Sequence, residues 1–276
     1  MDESTLDAFA EWERASWEER AEAYAADVGV LTRGAIWALL DAARVTEGTR
    51  LLDVATGPGF VAQAAGGRGA VVTAVDQSAA MVALARAALP EVVVHQSPVE
   101  QLKLPDDAYD AVVAGFLLNH LARPERALAE LTRVLVPGGR LAMSVWAEPV
   151  ANPAMGLIGE VVTDLGITGA VPTGPDSAYY ADEDRFTDLL TRAGLQEVIV
   201  VRTSWTVKVD AGGWFDTVAR AMPRSGAVLA QADAGQRARA RAEYVRRAEA
   251  AFETAEGLVH LPATAVIGAG SKAPRT

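Results

Sequence analysis

Between residues 50 and 146 the chain alternates short apolar runs with segments of helical period, and this pattern limits the possible folds most strongly. The apolar runs predict five strands, LLDVA (51–55), AVVTAVD (70–76), VVVHQ (92–96), AYDAVVAGFLL (108–118) and RLAMSVW (140–146). Segments between them, such as RPERALAELTRVL (123–135), carry apolar residues at helical spacing. Strands that alternate with helices form parallel βαβ units, so we predict an α/β fold with helices on both faces of the sheet.

The flanking segments complete a single predicted domain. A helix is predicted for residues 1–27 and a second one for about 30–44. Residues 147–180 are rich in glycine and proline, whereas QEVIVVRTSWTVKV (196–209) and ATAVIGAGSK (263–272) have the composition of late strands. We interpret the chain in five parts: an N-terminal helical lid (1–44), a ligand-binding core (45–146), two cap insertions (147–180 and 210–258) and the last strands (181–209 and 259–276).

Composition excludes several classes of protein. The chain has no cysteine, which excludes disulfides and thiolate metal sites, and its net charge of −11 disfavours binding to a nucleic-acid backbone. No apolar run approaches the roughly 20 residues of a membrane helix, and the acidic N-terminus does not resemble a signal peptide. We predict a cytoplasmic protein whose partner is a small molecule, with no nucleic acid, membrane or metal, and leave a homodimer open.

A glycine turn and two aspartates indicate the type of ligand. The first strand ends at Asp53 and runs into a turn that contains Gly57 and Gly59, where the backbone can approach a ligand closely. Asp76 ends the second strand, where a carboxylate can accept hydrogen bonds from both hydroxyls of a ribose. Ligands bind beyond the carboxyl ends of strands in open α/β sheets, so these features predict an adenosine-type ligand, either NAD or S-adenosylmethionine.

Asp53 distinguishes the two candidates. A carboxylate at the end of the first strand would lie poorly beside a pyrophosphate, whereas it can orient the turn and the ammonium end of a methionine moiety, directly or through water. The chain also lacks the Tyr-x-x-x-Lys pair of many NAD-dependent oxidoreductases. We therefore favour S-adenosylmethionine over NAD.

Four ordered motifs resemble a known family. The segments LLDVATGPGF, VDQSAAM, LPDDAYDAVVAGFLLNHL and RALAELTRVLVPGGRLAMSVW are similar, in order and spacing, to the motifs of class I S-adenosylmethionine-dependent methyltransferases. The similarity covers about residues 45–146 and is to the branch that acts on small molecules, as in secondary metabolism. It implies a Rossmann-like seven-stranded sheet, mostly parallel with an antiparallel last strand, with N-terminal helices and an inserted cap.

The resemblance also implies the residues that bind the cofactor. Carried over position by position, they are Tyr24, Asp53, Ala55, Gly57, Gly59, Asp76, Gln77, Met81, Val99 and Phe116. The usual D-x-G-x-G-x-G reads D-x-A-x-G-P-G here, and Pro98 occupies the position of the acid that commonly binds the adenine amine. That contact must pass to a backbone carbonyl, to Glu100 or Gln96, or be lost.

His120 is the predicted catalytic residue. It follows the fourth strand, where an acceptor would meet the methyl group, and a histidine titrates near neutral pH. His95 is interpreted as a core residue and His260 as a poor candidate. The predicted activity is methyl transfer to a small organic acceptor, at oxygen or nitrogen. The alternatives are a cyclisation on the same fold without methyl transfer, an oxidoreductase, and a non-enzymatic binding module.

Overall fold

A computed structural model describes residues 1–275 and shows one mixed sheet flanked by helices. The sheet order is β3-β2-β1-β4-β5-β8-β6, and the short β7 pairs with β8. Strands β1 to β5 are parallel, and β8 runs antiparallel to both β5 and β6. The strands are β1 Arg50–Val54, β2 Val71–Asp76, β3 Val93–Gln96, β4 Tyr109–Gly115, β5 Leu135–Trp146, β6 Leu195–Val209, β7 Thr254–Ala255 and β8 Leu258–Lys272. This confirms the predicted fold class, with β7 as an additional strand.

Eleven α-helices surround the sheet within the described chain. They are α1 Glu3–Ala23, α2 Gly29–Thr32, α3 Ile36–Ala42, α4 Phe60–Gly67, α5 Ala79–Ala88, α6 Pro124–Val134, α7 Pro153–Asp164, α8 Glu183–Arg192, α9 Ala211–Ala221, α10 Pro223–Gln231 and α11 Ala234–Ala251. Successive strand residues face opposite sides, so Leu51 and Val113 pack with α3 and α4, whereas Leu52 and Val112 pack with α6 and α8. Both faces of the sheet are therefore covered.

A second apolar cluster lies beyond the sheet. It joins α7, α9, α10 and α11 to the outer ends of β6 and β8, with Trp214, Phe215 and the fully buried Tyr244 at its centre. Helix α7 was not predicted, because its glycines and prolines obscure the apolar spacing of Ala154, Ile158 and Val161. Helix α11 contains the segment QRARARAEYVRR (236–247), whose arginines pair with neighbouring acids, as at Arg247.

Two strand limits differ from the prediction for local reasons. Strand β4 ends at Gly115 because Phe116 has a φ of 56°, in the left-handed region that ends extended structure. Strand β5 begins at Leu135, five residues before the predicted Arg140, and includes Pro137, Gly138 and Gly139. His95 lies exposed on the edge strand β3, which corrects its interpretation as a core residue.

The N-terminal helices form one nearly continuous stretch from Glu3 to Ala42. An 18-residue window in this stretch has a mean hydropathy of 1.2, so by length and composition alone it could cross a membrane. Such a window is weak evidence for a membrane, because core helices of soluble proteins and signal sequences meet the same criterion. In this structure apolar residues of α2 and α3 pack inside the protein, Leu31 in the second apolar cluster and Leu39 and Leu40 against the sheet.

Candidate active site

A cleft opens at the carboxyl ends of β1, β2 and β4, beneath the N-terminal helices. It encloses about 890 Å³ of empty space, its open mouth included. Its walls include Trp17, Tyr24, Val28, Thr32, Val54, Ala55, Gly57, Asp76, Gln77, Met81, Ser97, Val99, Gly115, Phe116, Leu117, His120, Leu121, Trp146 and Met222. The strand order reverses between β1 and β4, so the cleft lies where open α/β sheets bind their ligands.

The turn after β1 leaves space for a ligand at the floor of the cleft. Ala55 and Gly57 both have a φ of 55°, and a Cβ added at Gly57 would touch Tyr24 and Met81 at 3.9 Å. A side chain there would thus project into the cleft. Gly59, with a φ of 93°, lies outside the cleft wall, and an added Cβ would lie 2.7 Å from the Leu89 side chain. Gly57 therefore shapes the ligand space, and Gly59 allows α4 to begin against α5.

Asp76 presents a buried carboxylate to the cleft. Its side chain accepts hydrogen bonds from the backbone N–H groups of Gly57 (2.8 Å) and Ser78 (2.9 Å), one on each oxygen. Each carboxylate oxygen has a second lone pair, so two acceptor positions stay available for a ligand. Burial raises the pKa of Asp76 to about 6, against the lowering effect of the backbone N–H groups.

Asp53 lies beneath the turn and does not line the cleft. Its Oδ2 accepts a hydrogen bond from the Thr56 hydroxyl at 2.6 Å, and the side chain is almost completely buried. Burial raises the pKa of Asp53 to about 7. The carboxylate thus holds the turn from below, in line with the expected role in orienting the turn, and its contact with the ammonium end of a ligand, directly or through water, stays a prediction.

Gln77, Met81 and Val99 line the far end of the cleft, where the resemblance places an adenine. Ser78 caps α5 by accepting a hydrogen bond from the N–H of Met81. Ser97, in place of Glu100 or Gln96, contributes polar atoms to the wall. Its hydroxyl donates to the carbonyl of Gln101 at 2.9 Å, which leaves lone pairs on Oγ that can accept a hydrogen bond from an adenine amine.

The N-terminal helices cover the cleft and are fastened to its rim. Glu18 of α1 accepts hydrogen bonds from the Ser78 hydroxyl (2.6 Å) and the Ala80 N–H (3.1 Å), and the first of these contacts lowers the pKa of Glu18 most. Tyr24 begins one turn of π-helix, Tyr24–Val28, a geometry that is frequent at functional sites. The edge of Trp17 packs on Tyr24, with 5.3 Å between the ring centroids.

His120 lies at the inner end of this cover. Its Nδ1 is 3.0 Å from Oε2 of Glu13, a residue of α1 that is 1% exposed. Trp17 packs edge-on against the imidazole with 5.0 Å between the centroids. The imidazole lines the cleft, so it reaches both the cleft and a buried carboxylate that sequence analysis did not identify.

A second cavity adjoins the cleft under α7 and α10. It also encloses about 890 Å³, its mouth included, and shares His120, Trp146 and Met222 with the first cleft. Its wall is largely apolar, and its polar groups include Asn119 and Arg224. The carboxamide oxygen of Asn119 has no hydrogen-bond partner among residues 1–275. Phe116, which lines the first cleft, stacks on Trp146, which lines both spaces, with the ring centroids 4.0 Å apart.

Comparison with known proteins identifies the family. Residues 52–143 match the model of a methyltransferase domain. A demethylmenaquinone methyltransferase of Renibacterium salmoninarum is 31% identical over 157 residues, which are 55% of this chain and 66% of the relative. One from Beutenbergia cavernae is 30% identical over 161 residues, 57% of this chain and 67% of the relative. The chain belongs to the class I S-adenosylmethionine-dependent methyltransferases. It spans about two thirds of the length of these relatives.

A solved structure supports the same fold for this methyltransferase. The YcgJ protein of Bacillus subtilis aligns with a TM-score of 0.56 at 18% sequence identity, covering 87% of this chain and 99% of that one. At this identity the likeness concerns the fold alone. The alignment extends beyond the matched domain, so the sheet and most of the surrounding helices share the fold of that structure.

The cleft of this methyltransferase fits its cofactor. The space above Gly57 is one that a Cβ would enter, Asp76 offers two acceptor positions for ribose hydroxyls, and apolar side chains line the adenine end. Of the eleven predicted site residues, nine line the cleft, while Asp53 and Gly59 support it from outside. Sequence reasoning missed Glu13, Thr32, Ser97 and Trp146. Of these four, only Trp146 could have been found from the sequence, because it is the aromatic last residue of a predicted strand.

Proposed function

We propose that this methyltransferase acts on a small, largely apolar acceptor bound in the second cavity, at an oxygen or nitrogen atom. The observation that carries the proposal is that the two cavities meet at His120, Trp146 and Met222. The cofactor, when bound, supplies a methyl group that its sulfonium centre has already activated. Holding both ligands at this junction therefore accounts for much of the rate.

Residues of the chain bind the two ligands, exclude water and accept the proton. Asp76 and the turn at Gly57 hold the cofactor, and the N-terminal helices exclude water from the junction. In the second cavity Trp146 and Met222 provide apolar contact, and Asn119 is a polar residue of the wall. His120 takes the proton that such a group must lose when it is methylated.

A second candidate reaction is methylation at carbon of a reduced quinone ring. It is favoured by the demethylmenaquinone methyltransferases among the relatives. An electron-rich ring with an acidic hydroxyl would also need a base, so His120 has the same role in both reactions. The largely apolar wall of the second cavity suits either acceptor.

We infer a cytoplasmic setting for the protein. Apolar residues of α2 and α3, which include Leu31, Leu39 and Leu40, are buried in the protein interior, which leaves them a role other than spanning a membrane. Fractionation of cells that express the full chain tests this inference. Recovery with the membranes after a high-salt wash would contradict it.

The test is a product assay with defined acceptors. The purified protein is incubated with S-adenosylmethionine and, separately, with phenols, aromatic amines and a reduced naphthoquinone, and both S-adenosylhomocysteine and methylated products are measured. Product NMR then identifies methylation at oxygen, nitrogen or carbon. An acceptor that is converted without S-adenosylhomocysteine supports the cyclisation alternative and contradicts the proposal.

The base is tested with His120→Ala on the best acceptor. We expect turnover to fall by roughly 10²–10⁴-fold while the dissociation constant of S-adenosylhomocysteine stays within a few-fold, because His120 acts on the acceptor's proton. His95→Ala is the matched control, since His95 is exposed on the edge strand β3. A loss of only a few-fold in His120→Ala would indicate that positioning alone suffices.

A further inference from the structure

Glu13 is a buried acid that the proposed mechanism leaves without a role. It lies on α1, is 1% exposed, and places Oε2 3.0 Å from Nδ1 of His120. Its other oxygen has no hydrogen-bond partner among residues 1–275, and the Arg224 guanidinium is 3.9 Å away from it, beyond hydrogen-bond distance. A buried carboxylate with one satisfied oxygen costs free energy that an apolar residue would not.

The residues around Glu13 indicate which role accounts for this unfavourable burial. Helix α1 buries Phe9 on the same side, so an apolar side chain at position 13 would suit packing alone. The one strong contact of Glu13 is with the imidazole, and an acceptor at Nδ1 selects the tautomer that carries its hydrogen there. In neutral imidazole the other nitrogen, Nε2, then carries a free lone pair.

We propose that Glu13 is a positioning residue that holds His120 as the Nδ1–H tautomer, so that Nε2 can take the acceptor's proton. This role rests on the proposed function of His120. The acceptor's O–H or N–H bond breaks and its proton passes to Nε2, while the electron pair forms the new bond to the methyl carbon. The carbon–sulfur bond breaks with its electron pair left on sulfur, and the imidazolium later releases the proton to solvent.

Because Glu13 belongs to α1, the base is complete only when this helix is docked. The same helix bonds to Ser78 and Ala80 through Glu18, beside the ribose-binding Asp76. The residue that orients the base and the residue that fastens the cover thus lie on one helix, little more than one turn apart. Docking of α1 over the cofactor therefore also prepares His120.

The direct test is nitrogen-15 NMR of the histidine side chains in the full chain with S-adenosylhomocysteine, from pH 6 to 10. His120 is assigned by the signals that disappear in His120→Ala. We expect the neutral form to carry its hydrogen on Nδ1 in the native protein and on Nε2 in Glu13→Leu. Glu13→Gln keeps an acceptor oxygen and should retain the native tautomer. Glu22→Gln, which changes an exposed glutamate of the same helix, is the control and should leave the His120 signals unchanged.

Activity measurements separate this inference from the proposed function. On the best acceptor, Glu13→Leu should lower turnover by about 10–100-fold with an unchanged KM for S-adenosylmethionine, as loss of an orienting partner does elsewhere. The same change in a His120→Ala background should add no further loss. A hydrogen on Nε2 in the native protein would overturn the inference even if Glu13→Leu does not fold. If the native protein has the Nδ1–H tautomer but His120→Ala keeps full turnover, the role of His120 as a base is contradicted. The role of Glu13 in positioning the imidazole would still hold.

Discussion

Cofactor affinity should depend on pH through Asp76. Its carboxylate offers two acceptor positions for the ribose hydroxyls only when it is ionised, and burial raises its pKa to about 6 in the free protein. Protonation below this pH converts one oxygen into a donor and removes an acceptor. Affinity is therefore expected to be constant above pH 7 and to fall as the pH decreases through 6.

The size of the effect follows from the pKa. If the ligand binds the ionised form, the apparent dissociation constant increases with the protonated fraction, which is about nine tenths at pH 5 for a pKa of about 6. S-adenosylhomocysteine should thus bind about tenfold more weakly at pH 5 than at pH 8, a difference of roughly 1.4 kcal/mol. Asp76→Asn should bind more weakly at pH 8 and lose this dependence.

Isothermal titration calorimetry at half-unit steps from pH 5 to 8 measures the profile. Asp53→Asn is the matched control, because Asp53 also has a raised pKa but lies outside the cleft. This variant should keep the decrease between pH 6 and 5. An Asp76→Asn protein that is folded and shows the native profile would refute the assignment of Asp76 to the ribose.

Two further predictions concern stability and the cover. The pKa of Asp53 is about 7 when folded and near 3.8 when unfolded, so the folded state binds more protons between these values, and the free energy of unfolding should decrease as pH rises through this window. Asp53→Asn should therefore be more stable than the native chain at pH 8, by up to about 4 kcal/mol, and urea denaturation at pH 4 and 8 measures the change. S-adenosylhomocysteine should slow amide hydrogen exchange in α1 and at Tyr24, because Tyr24 lines the cleft, while α11 should be unaffected. Equal exchange of α1 with and without ligand would show that this helix is a fixed part of the structure.

The sheet and the cofactor cleft were predictable because local pattern determines them. Apolar runs alternating with helical period define βαβ units, and parallel strands bring their carboxyl ends together, so Asp76 and Gly57 were placed at one edge from sequence alone. Family resemblance added Tyr24 and Phe116, which no periodicity indicates. The left-handed backbone at Ala55 and Phe116 was unpredictable, since it is imposed by the neighbouring strands and the turn.

The contact between Glu13 and His120 could not be predicted for a different reason. The two residues are 107 positions apart, and a glutamate on an acidic amphipathic helix is expected to face solvent. Which side of α1 is buried depends on how the helix docks, and docking is decided by tertiary packing on α5 and α9. For the same reason the glycine-containing α7 became recognisable only through the second apolar cluster, which buries it.

Arg123, next to the loop of His120, forms ion pairs with Glu3 and Asp7 in the first turns of α1. Both acids are largely exposed, so dissolved salt screens these pairs, whereas the inner contacts of α1 are sheltered from it. Exposed pairs contribute about 0–1 kcal/mol each, enough to change the ratio of docked to undocked helix several-fold. Where undocking limits the departure of S-adenosylhomocysteine, the ionic strength of the medium then sets the residence time of the product, and added salt accelerates its release.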